Sequence, residues 1–267
     1  MHISFLDPYQ DGRSYAHRLD SRIKLLLVTA FILTTALTPV AAWPVYVLLI
    51  AVVLAAEILS ELGVLFYWKR ALLALPFILA ALPVLFTIPG PELVRLSPPL
   101  PFDLAISGPG LARFISIALK SWISVQMAIL LASTTPFPEI LMAMRALRLP
   151  RLLVAIIGLM WRYLFVIVDE ALRLMRAREA RSGLGAAAAG RTGGSIPWRA
   201  RVTGGMAGSL LLRSLERSDR IYNAMLARGY DGEARGLPAP PIGASGWLLL
   251  VFGLALLGAL LALGTVL

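Results

Sequence analysis

The chain has 267 residues, 58% of them hydrophobic, with a mean hydropathy of +0.79 and a formal net charge of +10. Its apolar residues fall in long runs, which excludes a soluble single-core domain and predicts an all-α polytopic membrane protein. The absence of cysteine excludes disulfides, thiol catalysis and thiolate metal sites.

In chain order, the N-terminal "MHISFLDPYQDGRSYAHRLDSRIK" is polar and charged before the first apolar run, unlike a cleavable signal peptide. It holds both histidines, His2 and His17. One histidine beside a terminal amine is a thin ligand set, so no metal site is expected. A membrane crossing needs roughly 20 apolar residues. Five runs qualify: 23–41, 43–60, 70–89, 110–132 and 247–267. Glu57 and Glu61, one turn apart at the inner end of the second run, fit a capped helix end better than a proton relay. Pro76 and Pro83 interrupt the third run. A sixth stretch, 152–168, carries Arg162 at its centre, where a charge is costly in lipid. It is expected to pack at the interface or inside the bundle and is left out of the five.

The chain thus divides into N-terminal membrane helices (1–132), an arginine-rich insert (133–246) and a last span (247–267). The insert has sixteen Arg, no Lys and eight acidic residues. Other basic clusters precede the first and third runs, whereas the Pro-rich connection 89–110 holds one Arg against two acids. Five spans with the N-terminus inside put every basic cluster in the cytosol. Within the insert, "PFPEILMAMRALRLPRLL" should break before Pro150, because a residue preceding proline is pushed out of helical geometry. "DEALRLMRAREARSG" is expected to be a helix, 183–205 a Gly/Ala-rich linker, and "MAGSLLLRSLERSDRIYNAMLARG" a long helix closed by Gly229.

Both helices end in an arginine between small residues, Ala180-Arg181-Ser182 and Ala227-Arg228-Gly229. The bland reading is a solvated or headgroup-binding face, to which the ladder Arg213, Arg217, Arg220 conforms. Exclusive use of arginine favours recognition of carboxylates or carbonyls in fixed geometry. Small neighbours let a helix end enter a partner's cleft. Arg162 is expected to be a structural residue, with Asp169 and Glu170 as its partners. The chain has no phosphate-binding Gly-x-x-x-x-Gly-Lys-Ser/Thr loop, no nucleophile–base set, and no nucleic-acid recognition fold behind its basic charge. Two other classes compete: a membrane enzyme gripping lipid phosphate, and a stand-alone ion-coupled carrier. The first lacks the acidic or nucleophilic groups it needs; the second has only the Pro76/Pro83 interruption.

Three stretches carry a resemblance: "DPYQDGRSYAHRLDSRIKLL", "LRLPRLLVAIIGLMWRYLFVIVDEALRLMRAREARSG" and "LLRSLERSDRIYNAMLARGYDG". Their ordered set resembles the transmembrane T component of energy-coupling factor (ECF) transporters of the cobalt/nickel, CbiQ type. The resemblance implies two cytosolic ATP-binding-cassette ATPases as partners, and a separate membrane protein that captures the substrate. It implies crossing coupling helices whose ends, Ala180-Arg181-Ser182 and Ala227-Arg228-Gly229, each dock in an ATPase groove. Ser182 departs from the usual glycine but is also small. A bacterial or archaeal cell membrane is implied, with the N-terminus and coupling helices cytosolic, no cofactor in this chain, and Pro76 and Pro83 kinking a helix that meets the capture protein.

Overall fold

A computed structural model describes residues 8–96, 104–181, 195–232 and 241–266. The chain is helical: α1 Tyr15–Arg18, α2 Ser21–Leu37, α3 Trp43–Leu59, α4 Val64–Ala71, α5 Leu75–Ala80, α6 Val84–Thr87, α7 Gly108–Thr134, α8 Phe137–Ala146, α9 Arg151–Arg181, α10 Ile196–Ala227 and α11 Ala244–Val266. A short antiparallel hairpin, β1 Glu92–Leu96 with β2 Leu104–Ser107, lies within the connection expected to be a loop. Four helical stretches are long and apolar enough to cross a membrane: Val64–Thr87, Gly108–Thr134, Arg151–Arg181 and Ala244–Val266, with Trp43–Leu59 a shorter apolar helix. This is an all-α polytopic membrane protein.

The described residues form two compact units, one from Arg148 that holds α9 and α10, the other holding the remaining helices. In the larger unit, local signals set the helix ends. Asp20 caps α2 by accepting from the Arg22 amide at 2.9 Å. The helix ends at Thr38, whose extended backbone precedes Pro39. That is four residues short of the expected run, because the pre-proline position outranks hydropathy. Pro44 sits in the first turn of α3, where its missing N–H costs nothing. Pro76 and Pro83 do segment the third run, giving α5 and α6 after a 3-10 turn at Leu72–Ala74. Ser107 caps α7 by accepting from the Gly110 amide while donating to the Ile88 carbonyl at 2.6 Å. A Cβ on Gly110 would sit 2.8 Å from the Leu85 carbonyl oxygen, so only glycine lets α6 approach α7 here.

The core of this unit gathers Phe31 of α2, Tyr46 and Leu49 of α3, Tyr67 of α4, Ile123 of α7 and Leu257 of α11. α2 is central, packing against α7, α8 and α11. Apolar side chains also cover the outside: Leu248, Val251 and Phe252 of α11 are exposed, as lipid-facing helices require. Several polar groups pair across or within the helices. The Tyr67 hydroxyl donates to Ser60 Oγ at 2.8 Å, and Ser60 Oγ donates to the Glu57 carbonyl at 2.6 Å. Lys24 Nζ donates to the Thr134 carbonyl and Lys120 Nζ to the Ala36 carbonyl, each at 3.0 Å. His17 serves the fold: Nε2 donates to the Gln10 carbonyl at 3.0 Å, which leaves Nδ1 to accept from the Ser14 hydroxyl at 2.7 Å. His2 lies outside the described residues.

The smaller unit is built on α9 and α10. The expected break at Pro150 is present: α8 ends at Ala146, Arg148 adopts φ 62°, and α9 begins at Arg151. The stretch 152–168, left out of the five expected runs, is part of α9, one helix of 31 residues that is long and apolar enough to cross a membrane.

Candidate functional site

α9 and α10 run antiparallel. Arg178 Nη1 donates to Thr203 Oγ1 at 3.3 Å near one end. Further along, Glu170 accepts from Arg217 Nη2 at 2.9 Å and from Arg213 Nη1 at 3.4 Å. Beyond these, Leu159, Met160 and Tyr163 share an apolar cavity of about 310 Å³ with Ser218 and Ile221. The Glu170 bridge is partly shielded, with 19% of the Glu170 and 32% of the Arg217 side chain exposed, so water weakens it less than an open surface pair.

Glu170 therefore bonds to α10 and not to Arg162, the partner expected from sequence. Arg162 and Asp169 are exposed and have no ion pair among the described residues. Two rungs of the supposed solvated ladder, Arg213 and Arg217, thereby help to join the helices. The signal was in the sequence, as an acid within one arginine helix and arginines four apart in the other. The 43- and 47-residue separations hid it.

The two small–Arg–small ends differ in what can be described. Ala180 and Arg181 are the last residues of α9 and are exposed, while Ser182 lies outside the described residues. At the other end, Arg228 caps α10 and Gly229 takes φ +78°. The Gly229 amide donates to the Leu226 carbonyl at 2.9 Å, and the Tyr230 amide to the Met225 carbonyl at 3.0 Å. This pair of bonds is the Schellman closure that a glycine at this position permits. Ala227, Arg228 and Gly229 are exposed. Because the helices are antiparallel, Arg181 and Arg228 mark opposite ends of the pair. Among the described residues no group of three or more His, Cys, Asp or Glu could hold a metal ion.

An all-α polytopic chain whose paired amphipathic helices end in exposed arginines is a transport-type membrane component. Residues 12–238 match the cobalt transport protein family CbiQ, and the chain belongs to that family, as a CbiQ-type transmembrane component of ECF transporters. It is 31% identical over 226 residues to the cobalt transport protein CbiQ of Rhodobacter capsulatus, covering 84% of each chain. To the energy-coupling factor transporter transmembrane protein EcfT of Listeria innocua it is 28% identical, covering 87% of this chain and 86% of that one. Identity to a putative fused cobalt transport protein CbiMQ of Methanocorpusculum labreanum is 23%, over 87% of this chain and 39% of the relative.

Proposed function

We propose that this chain is the non-catalytic coupler of an ATP-driven importer for cobalt or nickel ions. In this reading α9 and α10 are cytosolic. Ala180-Arg181-Ser182 docks on one ATPase and Ala227-Arg228-Gly229 on a second, while the membrane helices hold a separate capture protein. ATP-driven closure of the ATPase pair moves the two helix ends, and the helix pair passes that motion to the capture protein. The observation that carries the reading is the placement of two exposed arginine ends at opposite extremes of one cross-bridged helix pair. Such a piece can touch two partners at once. The relatives' names, cobalt transport protein and energy-coupling factor transporter transmembrane protein, support both the cargo and the partners. The name of the Methanocorpusculum relative, a putative fused cobalt transport protein, supports the same cargo.

Coexpression with the ATPases and capture protein tests it. Arg228→Ala weakens copurification of the ATPases, and Arg181→Ala with Arg228→Ala abolishes it, while membrane insertion is unchanged. A charged hydrogen bond buried in an interface costs about 2–5 kcal/mol when one partner is removed, enough to break assembly. A double variant that copurifies with both ATPases and transports normally refutes the assignment.

A further inference from the structure

We propose that the cleft between the C-terminal half of α9 and the N-terminal half of α10 binds an anionic phospholipid. A cavity of about 620 Å³ opens there, lined by Arg178, Arg181, Arg199 and Arg213, with Glu179 the one acidic lining residue among those described. Arg213 is already bonded to Glu170, and the other three guanidinium groups against Glu179 leave the recess net positive. Its remaining wall is apolar and includes Met175, Trp198, Val202 and Met206. Trp198 and Met175 are each 47% exposed, unusual for such side chains in a charged surface unless something apolar covers them.

The cleft does not stop at the arginines. A second cavity, about 330 Å³, shares Leu174, Ala177 and Arg213 with the first and continues to Val166, Glu170, Arg173 and Arg217. Arg217 in turn lines the apolar cavity of Leu159, Met160 and Ile167. The lining thus passes the Glu170–Arg217 bridge before it turns to hydrocarbon along α9. Leu174 and Met160 are separated by roughly 21 Å of helix at 1.5 Å per residue, close to the length of one acyl chain. A free phosphate would use only the arginine end, and a neutral lipid only the apolar end. A phosphodiester headgroup with its chain uses both, and arginine forks suit phosphate oxygens. Trp198 beside Arg199 at the start of α10 is the pairing found where a chain meets a lipid headgroup layer. The apolar stretch of α9 ends at Val168, about 9 Å along the helix from Leu174, so lipid that meets that stretch lies close to the cleft. Arg181 is shared with the docking end, whereas Arg178, Arg199 and Arg213 belong to the recess alone. The site goes beyond the coupler reading and does not depend on ATPase docking.

The chain has no cysteine, so a single Val202→Cys reporter in the detergent-purified full-length protein reads occupancy directly. Dioctanoyl phosphatidylglycerol should slow maleimide labelling of that cysteine saturably, by about tenfold, while dioctanoyl phosphatidylcholine and inorganic phosphate leave it nearly unchanged. Adding Arg178→Gln and Arg199→Gln should remove the protection, and Arg220→Gln, outside the cavity, should keep it. Native mass spectrometry of the unmodified chain, which needs no variant to fold, should show retained phosphatidylglycerol over phosphatidylcholine from an equal mixture. Equal protection by phosphatidylcholine, equal protection by phosphate, or protection surviving the double arginine change would overturn the proposal. So would protection by purified ATPase subunits alone, which would make the cleft part of the docking surface. Loss of ATPase copurification with intact phosphatidylglycerol protection would refute the coupler and leave the lipid site standing.

Discussion

Lys24 and Lys120 close each other's helices. Lys24, near the start of α2, donates to the Thr134 carbonyl at the end of α7, and Lys120 of α7 donates to the Ala36 carbonyl at the end of α2. Each ammonium meets the negative pole of the antiparallel neighbour and satisfies a carbonyl left without an intrahelical partner. Lys24→Met should destabilise the folded chain by about 1–3 kcal/mol, the cost of an unpaired buried polar group, and Lys120→Met, whose bond is exposed, by less. Ends of two helices are far apart, so the double variant should show nearly the sum. Thermal unfolding in detergent measures this; a double variant no worse than either single one would show that the two caps are not independent.

Glu57 presents the opposite case. It is fully buried at the end of α3, and neither carboxyl oxygen has a hydrogen-bond partner, although its backbone carbonyl accepts from Ser60. An unpartnered buried polar group weakens a fold, and an apolar side chain of similar shape relieves that cost. Glu57→Met should raise the apparent melting temperature, by the equivalent of about 1–2 kcal/mol. A lower melting temperature would mean that the carboxyl is held by a buried water or ion.

The Glu170–Arg217 bridge should be measurable as a coupling. Glu170→Gln and Arg217→Gln are each expected to loosen α9 from α10, and a double-mutant cycle should return about 1 kcal/mol for the pair. Arg213, more exposed and 3.4 Å away, should couple less. The readout is protection of the α10 amides against hydrogen exchange. Exchange rates identical in Glu170→Gln and the parent chain would show that the bridge adds nothing.

At Gly229 the expectation concerns backbone alone. Nothing lies within 4 Å of the position its Cβ would take, so Gly229→Ala meets no clash. The left-handed φ still penalises alanine by roughly 1 kcal/mol, and the last turn of α10 should fray. Gly229→Asn, which tolerates that region, should fray less. ATPase copurification should follow the same order; if Gly229→Ala assembles as well as the parent chain, the orientation of Arg228 does not matter for docking.

Much of this architecture was legible before any coordinates. Gly229 and Pro150 announced their helix ends because each imposes a local backbone geometry that no tertiary contact needs to supply. Hydropathy located the membrane helices but overran the end of α2 at Pro39. Leaving 152–168 out of the spans rested on the cost of Arg162 in lipid, yet one charge does not lower the hydropathy of α9 below that of a span, and Arg162 is exposed on it. The bonds made by Glu170, Lys24 and Lys120 were illegible for one reason: every partner is remote in sequence, and two of the three accept through a backbone carbonyl, which has no letter in the sequence. The role of His17 was not legible: it ties down the N-terminal segment, with Ser14 and Gln10 using both ring nitrogens.

Arg217 and Glu170 bridge α9 and α10 at 2.9 Å. Glu170 precedes Arg181 by eleven residues, and Arg217 precedes Arg228 by eleven. Each arginine end therefore stands about 17 Å of helix from the bridge. The bridge sits at equal distance from both ends, so it gives neither arginine the longer arm.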